Sequence, residues 1–349
     1  MNSLTIALAC LGGVVLAGIV AHGAWQARKA DPKRPEQKPV EPREPVLGEV
    51  SAGQRVEPTT HHEEPEAPLP TVQRRPSLRV DALIDAIATL TLEAPVSGDM
   101  VLAHQPPTRR AGSKPFLIEC LNAETGEWEA PLPGQHYSEL QVGVQLANRT
   151  GAMNEIEYSE FVQKIEPFAE AIGAMADFPD MLDAAGRARE LDAFASQYDA
   201  QLAVHLQARS AAWSVGYIQQ HASRHGFVPG MVPGRLVLPS TEEGAPPVLT
   251  LTFDSQAALA EDLNQAPVRD VTLSFDVPQT EAAAEPFSAW QASAQALSLG
   301  MDALIVDDNG QPLSPQGFAA IGAELGRLYE ALESRDIAAG SMVARRLFS

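Results

Sequence analysis

Apolar and polar side chains alternate with a period of two in the middle and in the last third of the chain, and helical spacing follows each alternating run. Leu140, Val142, Val144 and Leu146 alternate with Gln141, Gly143 and Gln145, while Val271, Leu273, Phe275 and Val277 alternate with Thr272, Ser274 and Asp276. This pattern predicts strands with one side buried and the other facing water. An amphipathic helix is predicted after each strand, carried by Phe161, Ile165, Phe168 and Ile172 in the first case and by Trp290, Leu297, Met301 and Leu304 in the second. Each series closes with another helix, first through Leu182, Leu191, Phe194 and Tyr198, then through Phe318, Ile321, Leu325, Leu328 and Leu332.

Upstream, a strand with Ala88, Leu90 and Leu92 answers one with Leu202, Val204 and Leu206. Phe116 to Asn122, a turn at Thr125-Gly126 and a strand around Trp128 find their counterparts in Leu236 to Leu238 and Val248 to Phe253. The offset stays at roughly 130 residues, the mark of a duplicated domain and not of a solenoid. The fold class read from this order is α+β: tandem split β-α-β units at 81–199 and 200–337, with antiparallel sheets covered by helices on one face and open on the other. Residues 338–349 read as a tail.

The amino-terminal pattern is different. From Leu4 to Ala24 no side chain is charged, and at ~1.5 Å per residue such a run spans the ~30 Å hydrocarbon core of a bilayer. Its flanking charges, Arg28, Lys29, Lys33 and Arg34, all follow it, which predicts an uncleaved anchor over residues 1–27, amino terminus outside and the rest in the cytoplasm. His22 and Trp25 fall at the interface, and Ala9, Gly13, Ala17 and Ala21 line one helix face that suits homodimerisation through the anchor. Residues 31 to 80 hold ten prolines among charged and polar side chains, so the basic, Pro-rich stretch 28–80 reads as a disordered linker. His61 and His62 beside Glu63 and Glu64 read as part of its solvated charge.

The formal charge of −20 argues against a nucleic-acid partner, because phosphate binding needs a basic surface. Cys10 and Cys120 are too few for a disulfide framework or a cysteine metal site. No phosphate-binding glycine loop or nucleophile elbow occurs, and the His221-His225 pair has no Cys or acidic partner near it in sequence, so no catalytic residue, metal or cofactor is expected. His221 and His225 read as a helix end, Asp307 and Asp308 before Asn309-Gly310 as a turn, and Ser314-Pro315 as a helix cap with Pro in the first position.

The run Ala21-His22-Gly23-Ala24-Trp25-Gln26-Ala27-Arg28-Lys29, the strand Val271 to Val277 followed by Pro278, the stretch Trp290 to Asp308, and Leu313-Ser314-Pro315 together resemble the ZipA family of bacterial cell-division proteins. The likeness covers the anchor, the style of the linker and residues from about 200 to 335. It implies a single-pass inner-membrane protein, expected at the division septum, whose cytoplasmic domain binds the carboxyl-terminal peptide of the tubulin-like protein FtsZ and performs no chemistry. Carried over strand by strand, the docking face is Gln201, Ala203 and His205, then Thr250, Thr252 and Asp254, then Thr272, Ser274 and Asp276. Asp254 and Ser274 stand where the family shows Met and Phe, so the resemblance implies a more polar contact here. A membrane-tethered sensor or small-molecule module that has kept the fold is the other reading. The first series is a degenerate repeat absent from the shorter family members, and three roles are open to it: a structural half, a shield for a sheet edge, or a second peptide site.

Overall fold

The computed structural model describes residues 79–242 and 244–349. The anchor over 1–27, nearly all of the linker, Cys10, the small-residue face and His61-His62 lie outside the described residues. Among the described residues no helix is long and apolar enough to cross a membrane.

The first series runs β1 (Asp85–Ser97), α1 (Gly98–His104), β2 (Arg110–Ala111), β3 (Lys114–Asn122), β4 (Trp128–Glu129) and β5 (His136–Gln145). It continues with β6 (Ala147–Asn148), β7 (Gly151–Ala152), α2 (Glu155–Ala171), β8 (Ala174–Asp177) and α3 (Met181–Tyr198). Its antiparallel sheet has the order β2-β3-β5-β1-β8, with β4 also paired to β3. Alternation sets the register: Leu90 lies opposite Leu140 and Leu140 opposite Cys120, while Val142 lies between Ala88 and Ile118. All six are buried against Phe161, Ile165 and Phe168 of α2. Asn154 begins α2 with a capping box, its side chain accepting from the Glu157 amide while Glu157 accepts from the Asn154 amide.

The second series repeats the plan. It comprises β9 (Gln201–Ala208), β10 (Trp213–Ser214), α4 (Val215–Ser223), β11 (Val228–Pro229), β12 (Arg235–Leu238) and β13 (Leu249–Thr252). Then come α5 (Ser255–Ala258), β14 (Pro267–Val268), β15 (Asp270–Asp276), a 3₁₀ turn at Ala282–Ala284, α6 (Pro286–Met301), β16 (Ala303–Val306) and α7 (Pro315–Glu333). The larger sheet has the order β11-β12-β13-β15-β9-β16, all antiparallel. By position, β3, β5, β1 and β8 correspond to β13, β15, β9 and β16. The core gathers Val204, Leu206, Leu251 and Leu273 under Trp290, Leu297 and Phe318, and the Trp290 indole donates to the Leu273 carbonyl at 3.0 Å. Ser314 caps α7 through the Gly317 amide, with Pro315 in its first turn.

Three expectations change. Leu304, expected on the helix with Trp290, belongs to β16: Asp302 takes φ +58°, stopping α6 at Met301, and Leu304 pairs with Gln207 on β9. Leu182, expected on the apolar side of α3, is 66% exposed because it sits in the first turn, while Ala184, Ala185 and Ala188 are buried. The supposed tail is packed structure.

That closing segment turns back through Gly340 at φ +78°, where an added Cβ would lie 2.4 Å from the Glu281 Cα. It then forms α8 (Met342–Leu347), capped by Ser341. Ala344, Leu347 and Phe348 complete a third apolar core with Ile84, Ala147 and Phe194 of the first series and Leu332 and Ile337 of the second. Arg346 reaches into this junction and grips Asp85 with two hydrogen bonds, at 2.5 and 2.9 Å. Their side chains are 9% and 0% exposed. Burial pushes the Asp85 carboxyl above its ordinary value, and the guanidinium opposes that rise. Gln145 donates to the Arg346 carbonyl at 2.7 Å, and Arg149 joins Asp199 at 2.5 Å to Asp276 at 2.8 Å, pinning the two series together again.

Removing one partner of a buried ion pair strands the other, which costs about 3–5 kcal/mol, whereas an apolar replacement of both is close to neutral. Asp85→Asn and Arg346→Met are each expected to lower the unfolding free energy measured by urea titration by that scale, and Asp85→Leu with Arg346→Met to recover most of it. A double variant as unstable as the sum of the singles contradicts this account.

Candidate functional site

The open face of the second sheet is built from residues that alternate with its core. Pairing places Arg235, Thr252, Thr272 and His205 in one row and Val237, Thr250, Ser274 and Ala203 in the next, with Asp276 beside Gln201 at the end. Eight of the docking residues expected from sequence thus share one face. Asp254 does not: β13 stops at Thr252, and Asp254 caps α5 by accepting from the Gln256 amide at 2.9 Å. A short polar side chain followed by Ser-Gln-Ala-Ala favours a helix start over another strand position.

Two of the remaining titratable residues are committed to internal contacts. Asp276 is held by Arg149 of the first series. His205 stands between two carboxylates, Nδ1 at 3.2 Å from Asp270 and Nε2 at 3.1 Å from Asp308, with the Thr272 hydroxyl 3.2 Å from Nδ1. A neutral imidazole has only one N–H, so both acids are satisfied only by the cation. Burial alone would lower the His205 pKa, but the hydrogen bonds and charges of Asp270 and Asp308 raise it above 6.5. The acids bind opposite ring nitrogens and do not converge on one point, and among the described residues no group of three or more His, Cys, Asp or Glu is placed to hold a metal. Cys120 is buried, and desolvation with Glu129 and Glu119 nearby pushes its thiol up to about 12, which leaves it unreactive.

Candidate residues that alternation did not single out lie beside β11 and β12. A groove of about 610 Å³ is lined there by Met231, Val232, Val237, Pro239 and Pro247, with Arg235 among them. Met231 is fully exposed and Val232 is 56% exposed. The Arg235 guanidinium donates to the Thr250 hydroxyl at 3.3 Å, and among the described residues no carboxylate pairs with it. One signal was present in the sequence: Met231-Val232 stands between Pro229-Gly230 and Pro233-Gly234, an apolar pair in a turn where polar residues are usual.

The matching face of the first sheet is occupied by the chain itself. Val80 lies over Gly143, where an added Cβ would come within 2.6 Å of Val80 Cγ1. The Val80 amide donates to the Glu119 carboxylate at 3.2 Å, and Arg79 donates to the Trp128 carbonyl at 3.1 Å. Gly143 pairs with Leu117 and Ile87 on either side, as Ser274 pairs with Thr250 and Ala203.

No protein-family model and no curated protein matches this chain. The geometry therefore carries the functional reading: an open, half-polar sheet face with an apolar groove beside it, and a sister face on which Val80 of the chain itself lies.

Because the folded His205 pKa lies above its unfolded value, its contribution to stability is complete below pH 6.5 and is lost as pH rises through the folded value. Melting temperatures measured from pH 5 to 9 are expected to fall less for His205→Gln than for the parent. Identical profiles for the two proteins contradict the bracing role.

Proposed function

We propose that this protein is a membrane-tethered division adaptor of the ZipA type, which binds the carboxyl-terminal peptide of FtsZ on the open face of its second sheet and ties FtsZ polymers to the inner membrane. In this reading residues 1–27 anchor the chain in inner-membrane lipid, 28–78 form a disordered spacer that ends where Arg79 and Val80 pack on the first sheet, and the tandem split β-α-β units stand in the cytoplasm at the septum. The observation that carries it is the row Val237, Thr250, Ser274 and Ala203, which runs unbroken across four strands on the side away from the helices. A sheet face of this kind suits an extended ligand, whose alternate side chains meet successive strands. Of the nine residues inferred from the family, Ala203, Thr250, Thr252, Thr272 and Ser274 suit contact best, since His205, Asp254 and Asp276 are engaged elsewhere and Gln201 sits at the junction end.

The second reading, a membrane-tethered sensor or small-molecule module, draws on the His205 cluster, whose protonation changes the charge of the face. A fluorescent fusion separates the two: midcell rings in dividing cells are expected for the adaptor, and uniform envelope fluorescence for the sensor.

The direct test is a pull-down with the FtsZ tail. Ser274→Arg and Thr250→Arg each place a long cation on the row and are expected to reduce capture at least tenfold, while Leu182→Arg on the exposed start of α3 leaves it unchanged. Capture that survives both row variants removes the interface from this face, and capture of nothing by the parent removes the adaptor reading.

A further inference from the structure

We propose that α8 is a latch on residues 79–83, which form a strap over the first sheet: the strap stays on the row Ile87, Gly143 and Leu117 while Arg346 is seated, and leaves that row when α8 does. The latch sets the point at which the folded region lets go of the chain that precedes it. It goes beyond the adaptor reading and holds whatever the second sheet binds.

Apart from a turn at 82–84, the strap has no secondary structure of its own. Strand pairing begins at Asp85, and none of residues 79–83 is buried: Val80 and Asp81 are half-buried, while Arg79, Ala82 and Leu83 are exposed. Ile84, fully buried in the third apolar core, marks where the continuous fold starts. A short set of contacts holds what lies before it. The Arg79 guanidinium donates to the Trp128 carbonyl at 3.1 Å, the Val80 amide to the Glu119 carboxylate at 3.2 Å, and the Asp81 amide to the Asp85 carboxylate at 2.8 Å. Arg187 of α3 donates to the Ala82 carbonyl at 2.7 Å. Val80 adds an apolar contact over Gly143, whose neighbours across the strands, Ile87 and Leu117, are half-buried. A segment tied by so few groups is a unit that can open locally while the rest of the fold stays closed.

Arg346 is the group on which several of these contacts converge. Its Nη1 donates to the Arg79 carbonyl at 2.7 Å and to Asp85 at 2.9 Å, and its Nη2 donates to Asp85 at 2.5 Å. The carboxylate held in this way is the one that accepts from the Asp81 amide. One buried guanidinium therefore binds the strap directly at Arg79 and, through Asp85, at Asp81. Hydrogen bonds to a charged group are stronger than neutral ones, and each contributes on the scale of a roughly tenfold or larger change in an equilibrium. Arg346 is itself delivered by a helix of six residues, too short to persist unaided, whose place depends on Ala344, Leu347 and Phe348 in the third core. Unseating α8 thus removes the Arg79 partner and loosens Asp85 in one step. The row under Val80 is then open to water, and Glu119, only 4% exposed, keeps Gln141 at 2.8 Å but loses the Val80 amide.

The experiment uses the full-length chain in detergent under native conditions and follows trypsin cleavage after Arg79 by mass spectrometry. Cleavage after Arg327, within α7, reports opening elsewhere. Cutting requires the residues around the bond to leave the surface, so its rate reads the open population of the strap. Arg346→Met is expected to speed cleavage after Arg79 by roughly tenfold or more. Because that variant also strands a buried acid, the decisive protein is Asp85→Leu with Arg346→Met, in which no charge is left unpaired. In it, cleavage after Arg327 is expected to return to the parental rate while cleavage after Arg79 stays roughly tenfold or more above it. Cleavage after Arg79 at the parental rate in the double variant overturns the latch. Equal acceleration after Arg79 and Arg327 also overturns it, because the ion pair then acts on the whole fold and not on the strap.

Discussion

The ion pair between Asp85 and Arg346 holds the two ends of the described chain to each other across 261 positions of sequence. Its interior location makes it costly to desolvate, and its neighbours offset that cost: Gln145 fixes the Arg346 carbonyl, the Arg79 carbonyl accepts from the same guanidinium, and Phe348 and Leu347 seal the junction. Because α8 comes after the second series and grips the first strand of the first, neither series is finished without it. The same guanidinium that closes this junction also holds the backbone of Arg79, so the packing of the terminal helix and the seating of the entry segment are one arrangement.

The two copies of the scaffold differ on the same face through small changes of side chain. In the first sheet Gly143 leaves room for Val80, and the carboxylate of Glu119, shared with Gln141, takes its amide. On this sheet the row that contains Gly143 is thus covered by Val80 of the same chain. In the second sheet the equivalent position is a serine flanked by threonines, and the cation lies on the sheet. The contrast between a filled and an unfilled copy is the strongest physical reason to regard the second face as a docking surface.

The polar character of that face also has a structural origin. His205 with Asp270 and Asp308, and Asp276 with Arg149, look from sequence like residues free to meet a ligand, yet each is tied into a contact that stabilises the domain. What is left for a partner is a narrower strip of hydroxyls and small side chains, continuous with the apolar groove at β12.

Much of this was legible in the amino-acid order. Period-two alternation in Val271 to Val277 and Leu140 to Leu146, helical spacing in Phe161 to Ile172, and the Ser314-Pro315 cap are local signals, and local sterics and burial act on them wherever the chain goes, so the strands, helices and their repetition were determined by sequence. Tertiary structure decided the rest. Leu304 became strand because β9 offered it a partner, and residues 338–349 became core because surfaces of the two series met there. Pairings such as Asp85 with Arg346 join positions with no periodic relation, and their free energy depends on desolvation at a site that exists only once both series are assembled.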